Sequence, residues 1–223
     1  MPSVLQKPKS IFKTLLDIVL PPVCYVCGTG CSSKYGLCDL CLNKIRLCAD
    51  YSPKNAYIEK AWSCSYYKDT IKECIHLFKY KGYIGLIDIF RDIMIDFVKK
   101  HDIHKNVDLI VPVPIYPTKK RERTYNHAEI LARSLSKNFT IPINAKNLKK
   151  IKWTQSQSEL GREKRLKNVK DTFLIVDKGV FSDKRVLLVD DVYTTGTTIN
   201  ECAKVLRGAK ASKVFSLTLA RGV

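Results

Sequence analysis

Acidic side chains are scarce in this 223-residue chain. Asp and Glu number 21 against 39 Lys and Arg, which leaves a formal net charge of +18 at pH 7. Such an excess of positive charge favours a polyanionic partner or an anionic membrane surface, although a basic surface also simply aids solubility. The charge therefore narrows the class of partner without identifying it.

Several sequence patterns are also missing. No apolar run reaches the roughly 20 residues that a membrane-spanning helix needs, and the amino end lacks the order of charged, apolar and small residues that marks a cleavable signal. There is neither a Gly-x-x-x-x-Gly-Lys-Ser/Thr pattern nor a Gly-x-Gly-x-x-Gly pattern after a strand, which excludes P-loop and Rossmann-type nucleotide sites. We therefore expect a globular, cytoplasmic protein.

Cysteine, by contrast, is abundant and crowded toward the amino end. The nine cysteines are an odd number, and a secreted disulfide scaffold would be smaller and more evenly cross-linked. Two Cys-x-x-Cys pairs predict a closed, structural metal site with four thiolate ligands, usually for zinc. The alternative is that these cysteines are small apolar residues that pack in the core. Cys31 and Cys48 are spare thiols that could join this site. The two Cys-x-x-Cys pairs, separated by ten residues, are formed by Cys24, Cys27, Cys38 and Cys41.

The first sixty residues predict a unit of their own. Residues 10–20 have the spacing of a short amphipathic helix, which ends at Pro21 and Pro22. This helix either packs against the rest of the protein or lies on a membrane surface, which would place the protein peripherally at the inner face of the membrane. We predict an amino-terminal helix and zinc-binding module over residues 1–60 and an α/β domain over residues 61–223.

The most informative stretch of the chain is residues 186–198. Four apolar residues predict a buried strand of a parallel sheet. Asp190 and Asp191 follow at its carboxyl end, and a Thr- and Gly-rich turn then leads into a predicted helix over residues 199–206. Ligands of open α/β sheets bind outside the carboxyl ends of strands, and a helix start favours an anion. The predicted phosphate-binding residues are Val192, Tyr193, Thr194, Thr195, Gly196, Thr197 and Thr198.

The acids narrow the ligand of this predicted site. Carboxylates repel phosphate, so Asp190 and Asp191 should face another part of the ligand, such as ribose hydroxyls or a bound Mg²⁺. The alternative is a purely structural role, in which a buried strand ends in an acid-rich turn. The order of strand, acids, turn and helix favours the binding site.

A second buried strand is predicted over residues 107–113, and a long basic region follows it. Residues 116–170 hold fifteen Lys and Arg against four acids, and concentrated positive charge between two strands can frame an anion-binding cleft. Residues 148–157 are polar and basic, which is typical of a loop. Trp153 in this loop is either a platform for base stacking or a cap on a hydrophobic edge.

The thirteen residues 186–198 resemble the signature of type I phosphoribosyltransferases, which bind 5-phosphoribosyl-1-pyrophosphate (PRPP). The resemblance implies a central parallel sheet with helices on both faces. It also implies that Asp190 and Asp191 are the catalytic acids that hold the ribose hydroxyls, that the Thr/Gly turn holds the 5′-phosphate, and that Mg²⁺ accompanies PRPP. By position, Val113 and Pro114 with the basic residues after them would bind pyrophosphate, and residues 150–158 would close over the ligand. The candidate basic residues are Lys119, Arg121 and Arg123, and the candidate closing-loop residues are Trp153, Thr154 and Gln157.

Further stretches resemble the ComF family of competence-associated, phosphoribosyltransferase-like proteins. Besides the cysteine pairs, these stretches are Leu77-Phe-Lys-Tyr-Lys-Gly82, Val111-Pro-Val-Pro114 and Arg123-Thr-Tyr-Asn126-His-Ala128. The chain departs from the family at residues 124–127, where Gly-Phe-Asn-Gln is usual. Many members also carry a second metal ribbon, but only Cys48 and Cys64 remain in that region, so we predict one zinc ion.

The resemblance implies that the protein binds PRPP with Mg²⁺ and acts in DNA uptake during natural transformation. Its expected partners are PRPP, single-stranded DNA and proteins of the uptake machinery. One alternative is a nucleic-acid-binding adaptor in which the PRPP site is regulatory or vestigial. Another is an active nucleobase or amine phosphoribosyltransferase of nucleotide salvage. Turnover stays open at this point because no residue identifies an acceptor.

Overall fold

The structure is a computed structural model in which residues 22–48, 56–117, 125–152 and 171–222 are described. Its helices are α1 (Asp39–Asn43), α2 (Asp69–Tyr80), α3 (Ile87–Lys100), α4 (His127–Phe139) and α5 (Thr197–Gly208). Its strands are β1 (Lys60–Tyr66), β2 (Leu109–Pro112), β3 (Leu148–Lys150), β4 (Phe173–Ile175), β5 (Arg185–Tyr193) and β6 (Lys213–Arg221). Short 3-10 turns lie at Ile84–Leu86, Ile103–Asn106 and Gly179–Phe181.

Four of these strands form a parallel sheet in the order β1-β6-β5-β2. Val189 of β5 lies beside Leu217 of β6 and beside Pro112 of β2, so the carboxyl ends of the strands meet at one edge. The apolar runs of β2 and β5 are buried on both faces, as expected for central strands of a parallel sheet.

Each face of the sheet is covered by helices. Leu187 and Val189 belong to the core beneath α2, α3 and α4, whereas Val186 and Leu188 belong to the core beneath α5 and the small antiparallel sheet β3–β4. Successive strand residues point to opposite faces, which is why one apolar run serves both cores. The predicted parallel sheet with helices on both faces is confirmed.

One local expectation needs correction, and one strand was not predicted. Leu148 was expected to begin a polar loop, but residues 148–150 form β3, and the Leu148 side chain is buried beside Phe173 and Ile175 of β4 in the α5-side core. Strand β6 was not predicted, although it lies in the interior of the sheet between β1 and β5.

The cysteine-rich segment packs directly on the α/β domain. Cys24, Leu37 and Cys41 lie in the same hydrophobic core as residues of α2 and α3. Leu47 pairs with Ser65 in an antiparallel bridge, and the Cys48 N–H donates to the Cys64 carbonyl at 2.9 Å. Residues 46–48 therefore cover the outer edge of β1, which would otherwise expose unpaired backbone groups.

The predicted amphipathic helix at residues 10–20 lies outside the described residues. Within the described part of the chain, every helix is too short or too polar to traverse a bilayer.

Candidate functional site

The acid pair, Asp190 and Asp191, lies near the carboxyl end of β5. The strand extends through both acids to Tyr193, because Asp190 pairs with Thr218 of β6 and Tyr193 pairs with Arg221. The Asp191 N–H donates to Asp190 Oδ1 at 2.8 Å. Both acids are half-buried, so the sheet edge presents two adjacent carboxylates in a partly dry environment.

Burial strongly affects the protonation of one of these acids. Loss of solvation, assisted by the negative charge of Asp191, raises the pKa of Asp190 to about 7. The charged form of a buried carboxylate is disfavoured because the protein solvates it less well than water does. Near neutral pH a proton is therefore gained or lost at Asp190 with little free-energy cost.

Among the described residues, Lys79 forms an ion pair with the acid pair. Its Nζ lies 2.7 Å from Asp191 Oδ1, and the two side chains are only 17% and 16% exposed. Burial disfavours the charged ammonium, but attraction by Asp191 and Asp190 outweighs this effect and raises the pKa of Lys79. Lys79 therefore stays charged and offsets one of the two carboxylates.

Sequence patterns did not identify Lys79 as a site residue. It lies in the last turn of α2, 112 positions from Asp191, and only the packing of α2 on the sheet brings the two together. The available signal was the stretch Leu77–Gly82, which had supported the family resemblance without a role for its lysines.

The turn after β5, residues 194–198, leads into the amino end of α5. Gly196 precedes the helix with φ of +74°, and a side chain at this position would collide with the ring hydroxyl of Tyr193. Glycine is needed here for both reasons. The hydroxyls of Thr195 and Thr197 are 2.8 Å apart, and Thr194 and Thr195 are exposed.

The first backbone N–H groups of α5 have no acceptor within the helix, so they and the threonine hydroxyls can receive an anion. Val192 and Tyr193 are placed differently from the threonines. Val192 packs against the core on the α2 side, and the Tyr193 side chain is buried beneath Gly196. A ligand at the turn would therefore meet these two residues chiefly through their backbone.

The end of β2 lies beside the end of β5. The Val113 N–H donates to the Val189 carbonyl at 2.9 Å. Asn126 donates from Nδ2 to the Val113 carbonyl at 3.0 Å, while its Oδ1 accepts from the Ala128 N–H and caps α4. The structure thus brings the Val113–Pro114 turn to the same edge as the acid pair.

Six predicted site residues lie outside the described part of the chain. Their roles in pyrophosphate binding and in loop closure stay predictions. They are Lys119, Arg121, Arg123, Trp153, Thr154 and Gln157.

The start of α4 also holds the end of α2. His127 Nε2 lies 3.3 Å from the Phe78 carbonyl, and the Tyr125 hydroxyl donates to the same oxygen at 3.5 Å. His127 is buried, and its ring packs edge-on against Phe78 with centroids 4.7 Å apart. His127 stands where the resembling family usually has Gln, and here it contacts the backbone beside Lys79.

The second candidate site is the metal knuckle, formed by two backbone turns that carry the cysteine pairs. The Gly28 N–H donates to the Cys24 carbonyl at 2.9 Å, and Gly28 adopts φ of +74° to close the first turn. Sulfur atoms at about 2.3 Å from a tetrahedral zinc ion stand about 3.8 Å apart, and the Cys27 and Cys38 sulfurs are 3.6 Å apart. All four sulfurs lie within 4.8 Å of one another and belong to Cys24, Cys27, Cys38 and Cys41.

The thiols of the knuckle differ in acidity. The Thr29 hydroxyl, followed by the Thr29 backbone N–H, lowers the pKa of Cys27 to about 6. Burial, followed by interactions with the other three thiols, raises the pKa of Cys41. Four adjacent thiolates repel each other unless a cation neutralises them, so the donor set fits a zinc ion that binds all four.

The two spare cysteines lie apart from this group. Within the described residues, neither Cys31 nor Cys48 belongs to the cluster with metal-ligand spacing. Cys48 is buried beside β1, where burial raises its pKa and the Arg221 side chain opposes that rise. The four paired cysteines can therefore hold one zinc ion without these two.

The chain is similar in sequence to a known domain family and to several competence proteins. Residues 124–222 match the phosphoribosyl transferase domain family. "Competence protein F" of Haemophilus influenzae is 29% identical over 205 residues, which cover 86% of this chain and 89% of that protein. "Competence protein ComFC" of Bacillus subtilis is 30% identical over 158 residues, which cover 70% of this chain and 61% of that protein.

A third relative carries a different name. "DNA utilization protein YhgH" of Escherichia coli is 30% identical over 112 residues, which cover 49% of this chain and 48% of that protein. The domain match includes the acid pair and the turn that follows it, and the Haemophilus relative matches over most of both chains. The chain is therefore similar to competence proteins F and ComFC over most of its length, and its carboxyl-terminal part matches the phosphoribosyl transferase domain family.

Proposed function

We propose that the protein binds PRPP together with Mg²⁺ at the crevice between the ends of β5 and β2, and that it acts in the uptake of DNA. One observation carries the ligand proposal. The acid pair at the end of β5 is followed immediately by a glycine-started helix, so acceptors and anion-binding donors lie side by side. A phosphorylated sugar offers both matching groups, namely hydroxyl donors and a phosphate.

The two halves of the site divide the ligand between them. Asp190 and Asp191 accept hydrogen bonds from the two ribose hydroxyls, while the Thr194–Thr198 turn and the start of α5 receive the 5′-phosphate. The diphosphate lies toward Val113 and Pro114 and the basic residues that follow, Lys119, Arg121 and Arg123. Bound Mg²⁺ would offset the negative charge of the diphosphate. Residues Trp153, Thr154 and Gln157 belong to the segment proposed to close over the ligand.

The metal knuckle has a structural role in this proposal. Zinc held by four cysteines has no open position for a substrate. Because Cys24 and Cys41 lie in the core shared with α2 and α3, the bound ion would fix the knuckle against the α/β domain. We propose the boundary between these units near residue 60.

The proposed role in DNA uptake rests on charge and on relatives. The names of the Haemophilus and Bacillus relatives refer to competence, and that of the Escherichia relative refers to DNA utilization. A net charge of +18 suits single-stranded DNA, because phosphate contacts release counterions from the strand. Proteins of the uptake machinery are further proposed partners.

Affinity for single-stranded DNA should fall steeply as salt rises, and a flat salt dependence would oppose a role for this charge.

Thermal unfolding with and without PRPP and Mg²⁺ tests the ligand proposal. We expect the ligand to raise the melting temperature of the unsubstituted protein, because a ligand that binds only the folded state stabilises it. Asp190→Asn combined with Asp191→Asn should abolish the shift. Asp96→Asn, which changes an exposed acid of α3, is the matched control and should keep it. No shift in the unsubstituted protein would refute PRPP binding.

An active phosphoribosyltransferase is the second candidate function. The observation in its favour is the pKa of about 7 at Asp190, which suits proton transfer near neutral pH. A panel of nucleobases and amines, assayed for pyrophosphate release from PRPP, tests this candidate. Release with any acceptor supports turnover. No release across the panel, with PRPP binding intact, favours the adaptor that uses PRPP only as a ligand.

A further inference from the structure

We propose that Lys79 is a ligand-binding residue, which holds Asp191 in the free protein and moves to the diphosphate of PRPP when the ligand binds. This inference rests on the proposed PRPP site and adds a cation to it from a helix outside the Thr/Gly turn. Nothing in the sequence patterns had assigned a role to Lys79, whose stretch served only as a mark of resemblance.

The first reason is the contact itself. Lys79 Nζ lies 2.7 Å from Asp191 Oδ1, and both side chains are largely withdrawn from water. Ion pairs at an exposed surface contribute little to stability and are common. A mostly buried pair loses solvation, so other contacts or a function must compensate for that cost. In the proposed site, the same lysine would neutralise one of two carboxylates that must both accept ribose hydroxyls.

The second reason is the position of the lysine in the crevice. The Phe78 carbonyl, one residue before Lys79, is held by His127 and Tyr125. The neighbouring residue Asn126 holds the Val113 carbonyl. The start of α4 thus contacts both the residue before Lys79 and the turn that we propose for pyrophosphate, which brings Lys79 and that turn to the same end of α4.

The third reason is the balance of charge during binding. PRPP carries a diphosphate, which two uncompensated carboxylates would repel. In the free protein the Lys79 ammonium reduces that repulsion. When PRPP is bound, the ribose hydroxyls replace the Lys79 ammonium as hydrogen-bond donors to Asp191. The flexible four-carbon stem of lysine then allows the charge to reach the diphosphate and to form charge-assisted hydrogen bonds there.

The test compares two ligands that differ only in the diphosphate. Ribose 5-phosphate offers the same sugar hydroxyls and 5′-phosphate as PRPP but lacks the diphosphate. Calorimetric titration should show that Lys79→Gln binds Mg²⁺–PRPP about tenfold or more weakly than the unsubstituted protein does. Affinity for ribose 5-phosphate should change by less than about threefold, because the Gln amide can still donate to Asp191.

Two further variants keep the test interpretable. Lys72→Met removes an exposed lysine of the same helix and should bind both ligands normally. Lys79→Arg keeps the positive charge and should bind PRPP better than Lys79→Gln does. Equal melting temperatures and equal zinc contents of the variants establish that the fold is intact. If Lys79→Gln is destabilised, the ratio of its two affinities still decides, since unfolding lowers both equally.

Three results would overturn the inference. Equal weakening of PRPP and ribose 5-phosphate by Lys79→Gln would mean that Lys79 only positions Asp191. Unchanged PRPP binding would mean that Lys79 has no part in the site. If the unsubstituted protein binds no PRPP, the proposed function fails together with the inference, and that case is recognised without any variant.

Discussion

The metal knuckle and the crevice between the ends of β5 and β2 are assembled in opposite ways. The knuckle takes its four sulfurs from the single stretch Cys24–Cys41, and two tight turns set their spacing. The crevice joins the ends of two strands, the start of α5 and the end of α2, and its ion pair links residues 112 positions apart. Local spacing is therefore enough to predict the first site, whereas the second depends on how distant elements pack.

Loss of one knuckle cysteine should have the largest effect on the protein. Cys41→Ser removes a buried ligand and leaves three thiolates without full coordination. Because zinc binding contributes directly to folding in closed sites, we expect loss of the zinc ion and a fall in melting temperature of about 10 °C or more. Metal analysis and thermal unfolding measure both effects.

Cys31→Ser is the control for this change, since Cys31 lies outside the four-sulfur cluster. It should retain one zinc ion per chain and melt close to the unsubstituted protein. Equal zinc content in Cys41→Ser would show that the knuckle does not need its fourth sulfur, and the contrast between a closed site and an open crevice would then fail.

A side chain at the start of α5 should have the next largest effect. Gly196→Ala places a Cβ against the Tyr193 hydroxyl and strains a residue with φ of +74°. We expect a loss of about 1–3 kcal/mol in the free energy of unfolding, together with much weaker PRPP binding. Gly208→Ala at the other end of α5 has open space around its new Cβ and should be neutral or slightly stabilising. Equal PRPP affinities for the two variants would exclude this turn from the site.

The crevice should also respond to pH, because Asp190 has a pKa of about 7 in the folded protein. Its value in the unfolded chain is about 4, so between about pH 4 and pH 7 the folded state holds a proton that the unfolded state has lost. The contribution of Asp190 to stability is therefore fully present below about pH 4 and declines as pH rises to about 7.

Ligand binding should show the opposite trend. Ribose hydroxyls donate best to an ionised carboxylate, so PRPP affinity should rise between about pH 6 and pH 8, by up to about tenfold per pH unit below the pKa. Titrations in buffers of different ionisation enthalpy should detect proton release on binding. PRPP itself titrates in this range, so two references are measured alongside. Ribose 5-phosphate lacks the diphosphate, and Asp190→Asn lacks the carboxylate. An identical pH profile in Asp190→Asn would assign the dependence to the ligand.

The smallest expected effect lies where the knuckle meets α3. The Tyr35 hydroxyl donates to Asp92 Oδ2 at 2.9 Å, and Lys34 lies 3.2 Å from the same oxygen. Tyr35→Phe removes one hydrogen bond and should lower the free energy of unfolding by about 1 kcal/mol, with zinc content unchanged. Urea unfolding measures the change. A loss of zinc in this variant would show that the knuckle depends on its contact with the helix.

The parts of the fold that could be predicted share a clear local signal. Strand β5 has an uninterrupted apolar run followed by acids, and the four cysteines have a fixed spacing. Strand β6 was missed because Ser216 and Thr218 interrupt its apolar residues, which suggests a half-exposed segment. In the structure both are buried, and Thr218 lies within hydrogen-bonding distance of Ser63 at 2.7 Å.

The residues of the candidate site also differ in how well the sequence could predict them. Asp190, Asp191 and Gly196 follow one another in the sequence, so their common location could be expected. Lys79 and His127 could not be assigned, because their contacts with Asp191 and with the Phe78 carbonyl arise only when α2 and α4 pack on the sheet. Sequence patterns reveal the residues that a strand end carries, but not those that a distant helix brings to it.

A crystal structure of the zinc-loaded full chain with Mg²⁺ and PRPP tests the central claim most directly. We expect ribose hydroxyls within about 3.2 Å of Asp190 and Asp191, the 5′-phosphate on the Thr194–Thr198 turn, and Lys79 directed to the diphosphate. PRPP bound elsewhere on the protein, with Lys79 still paired to Asp191 in an otherwise unchanged crevice, would contradict it.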